Sequence, residues 1–196
     1  MSKTKGSTNN LHEEVIIAGF GGQGVILAGR LLAQAAMKAG KEVTFMPSYG
    51  AEVRGGTANC TVVISESRIA CPVVDRADSV IAMNNASLEK FGPRVKPGGL
   101  LVFNSSLIAQ PPNLSEAIEV LAVPANELAG ELGNIRAANM VALGAYLELR
   151  AVLSPEAVVQ SLPDVLAKRY HDMLAVNIEA IRRGAEFARK KQKATA

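Results

Sequence analysis

The stretch Val15-Ile16-Ile17-Ala18-Gly19-Phe20-Gly21-Gly22-Gln23-Gly24-Val25 decides the fold, because a short apolar run empties into glycines and then into a helix-like pattern. An Ile/Val strand followed by Gly19-x-Gly21-x-x-Gly24 places backbone without side chains at a sharp strand-to-helix turn, where unpaired helical N–H groups and the helix dipole attract negative charge. The phosphate of a nucleotide-like ligand suits such a turn. Glycine-rich turns also serve plain strand–helix packing, and the fingerprint by itself leaves both readings open. A dinucleotide site would in addition place Asp or Glu at the end of the second strand. Here that strand reads Glu42-Val43-Thr44-Phe45-Met46 after a helix ending near Gly40, and its exit is Pro47-Ser48-Tyr49, with no carboxylate. A free-standing nucleotide-dependent dehydrogenase is therefore disfavoured.

What occupies that exit is a second glycine-bearing motif, Ser48-Tyr49-Gly50-Ala51-Glu52-Val53-Arg54-Gly55-Gly56. Its glycines permit backbone angles closed to other residues, and a guanidinium flanked by glycine can be aimed at a carboxylate or phosphate through paired hydrogen bonds. Arg54 is the first candidate for ligand contact, with a salt bridge to Glu52 on a solvated turn as the plainer alternative. The candidate binding set is Gly21, Gly22, Gln23, Gly24, Ser48, Tyr49, Arg54, Gly55 and Asn139, the last an amide that opens an apolar helix and either caps it or reaches a ligand. No residue stands out as catalytic. His12 and His171 read as surface residues, Glu13 and Glu14 as solvated, and Asn126-Glu127 as a cap or a cleft lining.

Elsewhere, Ala28, Leu31, Leu32, Ala35 and Ala39 recur at helical spacing, giving a βαβ opening. Residues 58–64 read as a strand that turns at Ser65-Glu66-Ser67 into a short return over Arg68-Ile69-Ala70, a hairpin within an otherwise parallel order. Ser79–Met83 and Leu100–Phe103 are continuous apolar runs of the kind buried on both faces, joined through a short helix at Ser87–Phe91 and the turn Pro97-Gly98-Gly99; Ile118–Val123 adds a strand. The late chain is helical, with stripes at Met140, Leu143, Leu147 and at Tyr170, Leu174, Ile178, Ile181, Ala185, which either pack on the domain's own sheet or dock on a partner. The expected fold is α/β and Rossmann-like: a mostly parallel sheet with helices on both faces, a β-hairpin insertion and C-terminal helices. Residues 1–12 read as a flexible leader, 13–150 as the Rossmann-like domain, 151–188 as a helical extension packed on it, and 189–196 as a flexible tail.

Composition narrows the function. The 196 residues are 48% hydrophobic with a net charge of +3 and no tryptophan, and the basic residues gather near the C-terminus. An aromatic-studded basic groove is missing, which argues against nucleic acid. Residues 1–10 lack the apolar core of a secretory signal and no apolar run reaches the roughly 20 residues of a membrane helix, so a cytoplasmic protein is expected. Cys60 and Cys71 sit among apolar neighbours and read as buried thiols. An iron–sulfur cluster needs four organised ligands, so this chain does not house one alone, and no metal site is expected.

The two glycine motifs, followed in order by Ala77-Asp78-Ser79-Val80-Ile81-Ala82-Met83-Asn84, Lys96-Pro97-Gly98-Gly99-Leu100-Leu101-Val102 and Asn139-Met140-Val141-Ala142-Leu143-Gly144-Ala145, resemble the gamma subunit of the 2-oxoacid:ferredoxin oxidoreductases over roughly residues 13–185. The forms around Phe20 and Ser48-Tyr49-Gly50 are most similar to the 2-oxoglutarate branch; the pyruvate and other 2-oxoacid branches are related. The resemblance implies an enzyme that oxidatively decarboxylates a 2-oxoacid, forms an acyl-coenzyme A and reduces ferredoxin. It implies alpha, beta and ferredoxin-like delta subunits as partners. Thiamine diphosphate, Mg and [4Fe-4S] clusters would be held by those partners, and coenzyme A would be a substrate received with this chain's help, no cofactor being tightly bound by this chain alone. A homodimer of the isolated chain is compatible with the sequence. A non-catalytic scaffold, or a free-standing nucleotide-binding Rossmann protein, are the alternatives.

Overall fold

Strand β1 (His12–Phe20) is buried from Val15 to Gly19 because alternate residues feed two different cores. Val15 and Ile17 join one cluster, and Ile16 and Ala18 join the other. The computed structural model describes residues 11–49, 57–110 and 117–195. After β1 come α1 (Val25–Lys38), β2 (Glu42–Tyr49), β3 (Thr57–Ser65), β4 (Ala77–Ala82), α2 (Asn85–Phe91), β5 (Val95–Asn104) and β6 (Glu119–Val123). Then follow α3 (Ala125–Glu131), α4 (Ala138–Arg150), the short α5 (Pro155–Val159) and α6 (Leu162–Val165), and the long α7 (Leu174–Thr195). The sheet order is β2-β3-β1-β4-β5-β6, with β1, β4, β5 and β6 paired in parallel and β3 antiparallel to both neighbours. One face carries the larger core, filled by α1, α3, α4 and α7; the other is covered by α2 through Leu88 and Phe91, with Ile69 and Val74 beside it. The expected Rossmann-like class holds, with helices on both faces.

The hairpin is built differently from the expectation. Its strands are β2 and β3, and residues 68–70 form no strand. Consequently β3 separates β2 from β1, so the first βαβ unit is opened by an antiparallel strand. The cause lies in β3: Ala58, Cys60, Val62 and Ile64 meet the helix-covered core while Val63 meets the other, a two-sided burial that only a central position satisfies. Strand β2 is an edge, which is where Pro47 is tolerated. The turn expected at Pro97-Gly98-Gly99 lies inside β5, where a register irregularity between Ala77 and Ser79 and the left-handed Gly98 (φ 75°) absorb it.

Five smaller expectations also change. Tyr170 has non-helical angles (φ −117°, ψ 15°) and is exposed, so the last stripe begins at Leu174, while α7 runs on through residues 189–195. Cys71 is exposed, because the segment around it belongs to no strand or helix; Cys60 is buried and its thiol is pushed up to about 12 by desolvation. Glu13 is 7% exposed rather than solvated. It accepts from Ser79 Oγ at 2.5 Å, lies 3.6 Å from Arg150 Nε and 3.5 Å from Tyr146 Oη, and thereby ties β1 to β4 and α4. Glu14 is also engaged, pairing with Lys96 at 2.7 Å, which holds Asp78 at 2.9 Å as well.

Helices α4 and α7 approach through glycines. A Cβ on Gly144 would strike the carbonyl of Ile181, and one on Gly184 would strike the carbonyl of Val141. Because the obstacle is backbone, no rotamer change relieves it, and Gly144→Ala should lower the unfolding free energy by about 3 kcal/mol, the upper part of the overpacking range, in urea denaturation. A second expectation concerns pH. Burial raises the Glu13 carboxyl above its ordinary range, with Ser79 and Arg150 opposing. The folded chain therefore retains this proton to higher pH than the unfolded chain does, and the contribution is lost as pH climbs from the ordinary carboxylate range through the raised one. Glu13→Gln cannot titrate, so the stability difference between variant and wild type should shift in the variant's favour across that window, read from unfolding at a series of pH values.

Candidate functional site

The cleft forms where neighbouring crossovers diverge. Helix α1 leaves β1 toward β2 and β3, whereas α2 leaves the adjacent β4 on the opposite face, and a crevice opens at the carboxyl ends of β1 and β4. The turn after β1 closes with Gln23 N donating to Phe20 O at 3.1 Å; Gly22 (φ 98°) and Gly24 (φ 71°) take left-handed angles. Gly24 is the N-cap of α1, has no side chain to cap it, and no acidic residue occupies the first helical turn. The first amides of a 14-residue helix thus begin at the rim of the crevice.

Carboxamides stitch this rim together. Gln23 Oε1 accepts from Phe20 N at 2.7 Å and from Asn84 Nδ2 at 2.8 Å, while Gln23 Nε2 donates to Met83 O at 3.2 Å. Asn84 in turn caps α2 by accepting from Ser87 N at 2.9 Å. Next along the sheet, the fully buried Asn104 accepts from the backbone of Ser106 and Ala125 and donates to Asn126 Oδ1 at 3.0 Å. Asn139, 4% exposed, donates Nδ2 to Gly24 O at 2.9 Å and does not cap its own helix. Two cavities flank Gln23. One of about 190 Å³ is bounded by Gly22, Gln23, Met83, Asn126, Ile135, Arg136 and Ala138. The other, of about 510 Å³, is bounded by Phe20, Gln23, Asn84, Asn85, Ala86, Glu89 and Leu107. A larger hollow of about 640 Å³ follows the β6 edge between Leu149 and Ala188, away from the glycine turn.

Of the expected residues, Gly21 to Gly24 and Asn139 come together at this rim. Ser48 and Tyr49 are exposed at the end of β2, in register with Asn59 and Ala58, which face Ala18 and Gly19 of β1. They share the rim with the glycine turn at a distance of two strand spacings, roughly 10 Å. Arg54 and Gly55 lie outside the described residues; the residues on either side of their segment, Tyr49 and Thr57, are at this same end of the sheet. Gln23 belongs to the rim as a brace, since both ends of its amide are engaged by the protein. His12 and His171 are exposed, as expected. The sequence reading missed Asn84, Asn104 and Arg136, although an Asn directly after the apolar runs ending at Met83 and Phe103 was a visible signal.

Gly24→Ala would bring a methyl to 2.5 Å from Asn139 Nδ2 at a backbone angle that L-residues avoid, whereas a Cβ at Gly22 meets nothing within 4 Å. Gly24→Ala should therefore cost about 2–4 kcal/mol and Gly22→Ala about 1 kcal/mol, with Asn139→Ala restoring part of the Gly24→Ala loss in a double-mutant cycle.

Comparison with known proteins places this geometry in context. Residues 14–187 match the pyruvate ferredoxin/flavodoxin oxidoreductase family. Ketoisovalerate oxidoreductase subunit VorA of Methanothermobacter thermautotrophicus is 38% identical over 177 residues, which cover 90% of this chain and 36% of that protein. The keto/oxoacid ferredoxin oxidoreductase gamma subunit from Geobacter sulfurreducens has a TM-score of 0.76 and 31% identity, covering 90% of this chain and 98% of its own. The 2-oxoglutarate:ferredoxin oxidoreductase from Magnetococcus marinus, solved with 2-oxoglutarate, coenzyme A and succinyl-CoA bound, has a TM-score of 0.83 and 31% identity over 91% of this chain and 31% of that one. The chain thus spans about a third of the length of VorA and of the Magnetococcus chain.

Proposed function

The chain belongs to the pyruvate ferredoxin/flavodoxin oxidoreductase family, and from that membership we propose that it acts as the gamma subunit of a multi-subunit 2-oxoacid:ferredoxin oxidoreductase. The overall reaction takes a 2-oxoacid and coenzyme A to an acyl-coenzyme A and carbon dioxide, with an electron pair and a proton released and the electrons accepted by ferredoxin. Alpha, beta and ferredoxin-like delta chains supply thiamine diphosphate, Mg and the [4Fe-4S] clusters, and the assembly works in the cytoplasm. Among the described residues no helix is long and apolar enough to cross a membrane. We assign 2-oxoglutarate as the substrate on the form of the motifs around Phe20 and Ser48-Tyr49-Gly50.

In this reading the gamma chain receives the phosphate-bearing part of coenzyme A at the rim formed by Gly21 to Gly24, Ser48, Tyr49 and Asn139, with Arg54 and Gly55 of the adjoining segment completing it. The observation that carries the reading is the uncapped start of α1 at a crevice, held in place by the Asn139-to-Gly24 hydrogen bond. Backbone amides at that point offer donors to an anion without a competing carboxylate in the first turn. The scaffold alternative draws support from no separate feature of the rim.

The test uses the assembly co-purified with its partner chains, with amide hydrogen exchange followed with and without coenzyme A. Exchange at Gly21–Val25 should slow on addition of coenzyme A, and turnover should favour 2-oxoglutarate over 2-oxoisovalerate. An active assembly in which coenzyme A leaves those amides unchanged would overturn the binding role, and a preference for 2-oxoisovalerate would overturn the substrate assignment.

A further inference from the structure

We propose that Arg136 is the residue by which this chain selects the phosphorylated end of its ligand, engaging a phosphate ester or pyrophosphate at the cavity beside Gly22. The proposal rests on the coenzyme A reading above and adds to it a residue and a direction of binding. Arg136 lines the cavity of about 190 Å³ together with Gly22, Gln23, Met83 and Asn126, and no carboxylate lines it.

The local fold holds this position. Gly133 takes a left-handed angle (φ 81°), and Asn134 then caps a short 3-10 turn by accepting from Arg136 N at 3.0 Å. The same Asn134 side chain donates to Met173 Sδ at 3.4 Å, so the turn is tied to the segment leading into α7. The backbone under Arg136 is thus fixed from two sides while the residue itself is exposed.

Charge pairing sets Arg136 apart from the arginines of α4 and α7. Arg150 meets Glu13, Arg182 meets Glu156, Arg183 meets Glu131 and Arg189 meets Glu148. Among the described residues Arg136 meets no carboxylate. Asn126 adds donor capacity to the same wall: its Oδ1 is taken by Asn104, and its amide N–H groups have no acceptor among the described residues. A guanidinium and a carboxamide that both offer only donors suit an oxyanion with several acceptor oxygens.

The second cavity, across Gln23, has the opposite character. Phe20 and Leu107 make it partly apolar, Asn84 and Asn85 contribute carboxamides, and Glu89 contributes a negative charge. Phosphate is disfavoured there, whereas an uncharged, amide-bearing chain is accommodated. The two chambers therefore orient a bipartite ligand, with its anionic end at Arg136 and its neutral arm passing over Gln23 toward Glu89.

The experiment measures KM and kcat of the co-purified assembly for coenzyme A and for dephospho-coenzyme A, in the wild type, Arg136→Ala and Arg136→Lys. Arg136→Ala should raise KM for coenzyme A by about 10- to 100-fold while kcat and KM for the 2-oxoacid stay within about twofold, and Arg136→Lys should recover part of the loss because it keeps charge without the planar fork. If the contact is to the 3′-phosphate, dephospho-coenzyme A will bind wild type and Arg136→Ala alike; if it is to the pyrophosphate, binding of both thiols will weaken in Arg136→Ala. Either pattern supports the assignment. An unchanged KM for coenzyme A, or an Arg136→Ala chain that no longer co-purifies with its partners, overturns it. Should KM be unchanged while coenzyme A still slows exchange at Gly21–Val25, Arg136 alone is wrong; should that slowing be missing too, the underlying coenzyme A reading fails with it.

Discussion

Helix α4 can lie flat against the sheet only because Gly144 and Gly184 let it meet α7 backbone to backbone. Its two ends then reach the two rims of the sheet. Asn139 at one end holds the carbonyl of Gly24, and Arg150 at the other lies against Glu13, Ser79 and the carbonyl of Asp78. The eleven steps from Asn139 to Arg150 span roughly 17 Å of helix, and the six from Glu13 to Gly19 span roughly 20 Å of strand. Helix and strand are matched in length, so fixing one rim fixes the other. A helix held farther out by larger residues at positions 144 and 184 would break both attachments together.

The rim around the glycine turn follows from that placement. Gln23 joins the turn after β1 to the turn after β4, but it does not set the height of α1 over the sheet. Asn139 does, because it comes from the layer above and grips the N-cap residue itself. The glycine turn is thereby held from below by a carboxamide brace and from above by a second carboxamide. Neither attachment uses the first amides of α1. A rim built in this way has its donors aligned before any ligand arrives, which lowers the ordering cost of binding.

The sequence made the outline of this arrangement readable, and the reasons for its successes and failures are physical. Local chemistry was legible: Gly19-x-Gly21-x-x-Gly24 forced a strand-to-helix turn and the β-branched runs forced buried strands, whereas Asn139, expected to cap its helix or reach a ligand, does not cap and instead grips the carbonyl of Gly24. Pairing was not legible, because the burial of Val63 and of Cys60 on opposite faces of β3 depends on which strands flank it. Hence the sequence suggests a hairpin of β3 with residues 68–70, whereas β3 pairs with β2. Glu13 looked solvated beside Glu14 because its partners, Ser79, Tyr146 and Arg150, lie 66, 133 and more residues away. Arg136 was hidden for a related reason: an exposed arginine is unremarkable until the absence of a carboxylate neighbour among the described residues, beside α4 and α7 whose arginines are paired, becomes visible in three dimensions.

The distribution of titratable groups completes the argument about what this chain contributes. Glu13 and Tyr146, the buried carboxyl and phenol raised by desolvation, lie at the rim opposite the glycine turn and hold α4 in place. Cys60, held near 12, is sealed against α1, where its Sγ faces the carbonyl of Val25. Around the glycine turn Gln23, Asn84 and Asn139 contribute carboxamides that bond to backbone or to one another, beside the exposed Ser48 and Tyr49 and, in the second cavity, Glu89. Under the proposed function, such a rim holds a substrate in position. In relatives such as VorA, the matching domain is only about a third of a longer polypeptide. If the role is the proposed one, that arrangement follows, because a domain that positions a substrate must itself be fixed relative to the chemistry, whether by a covalent link or by a docked interface.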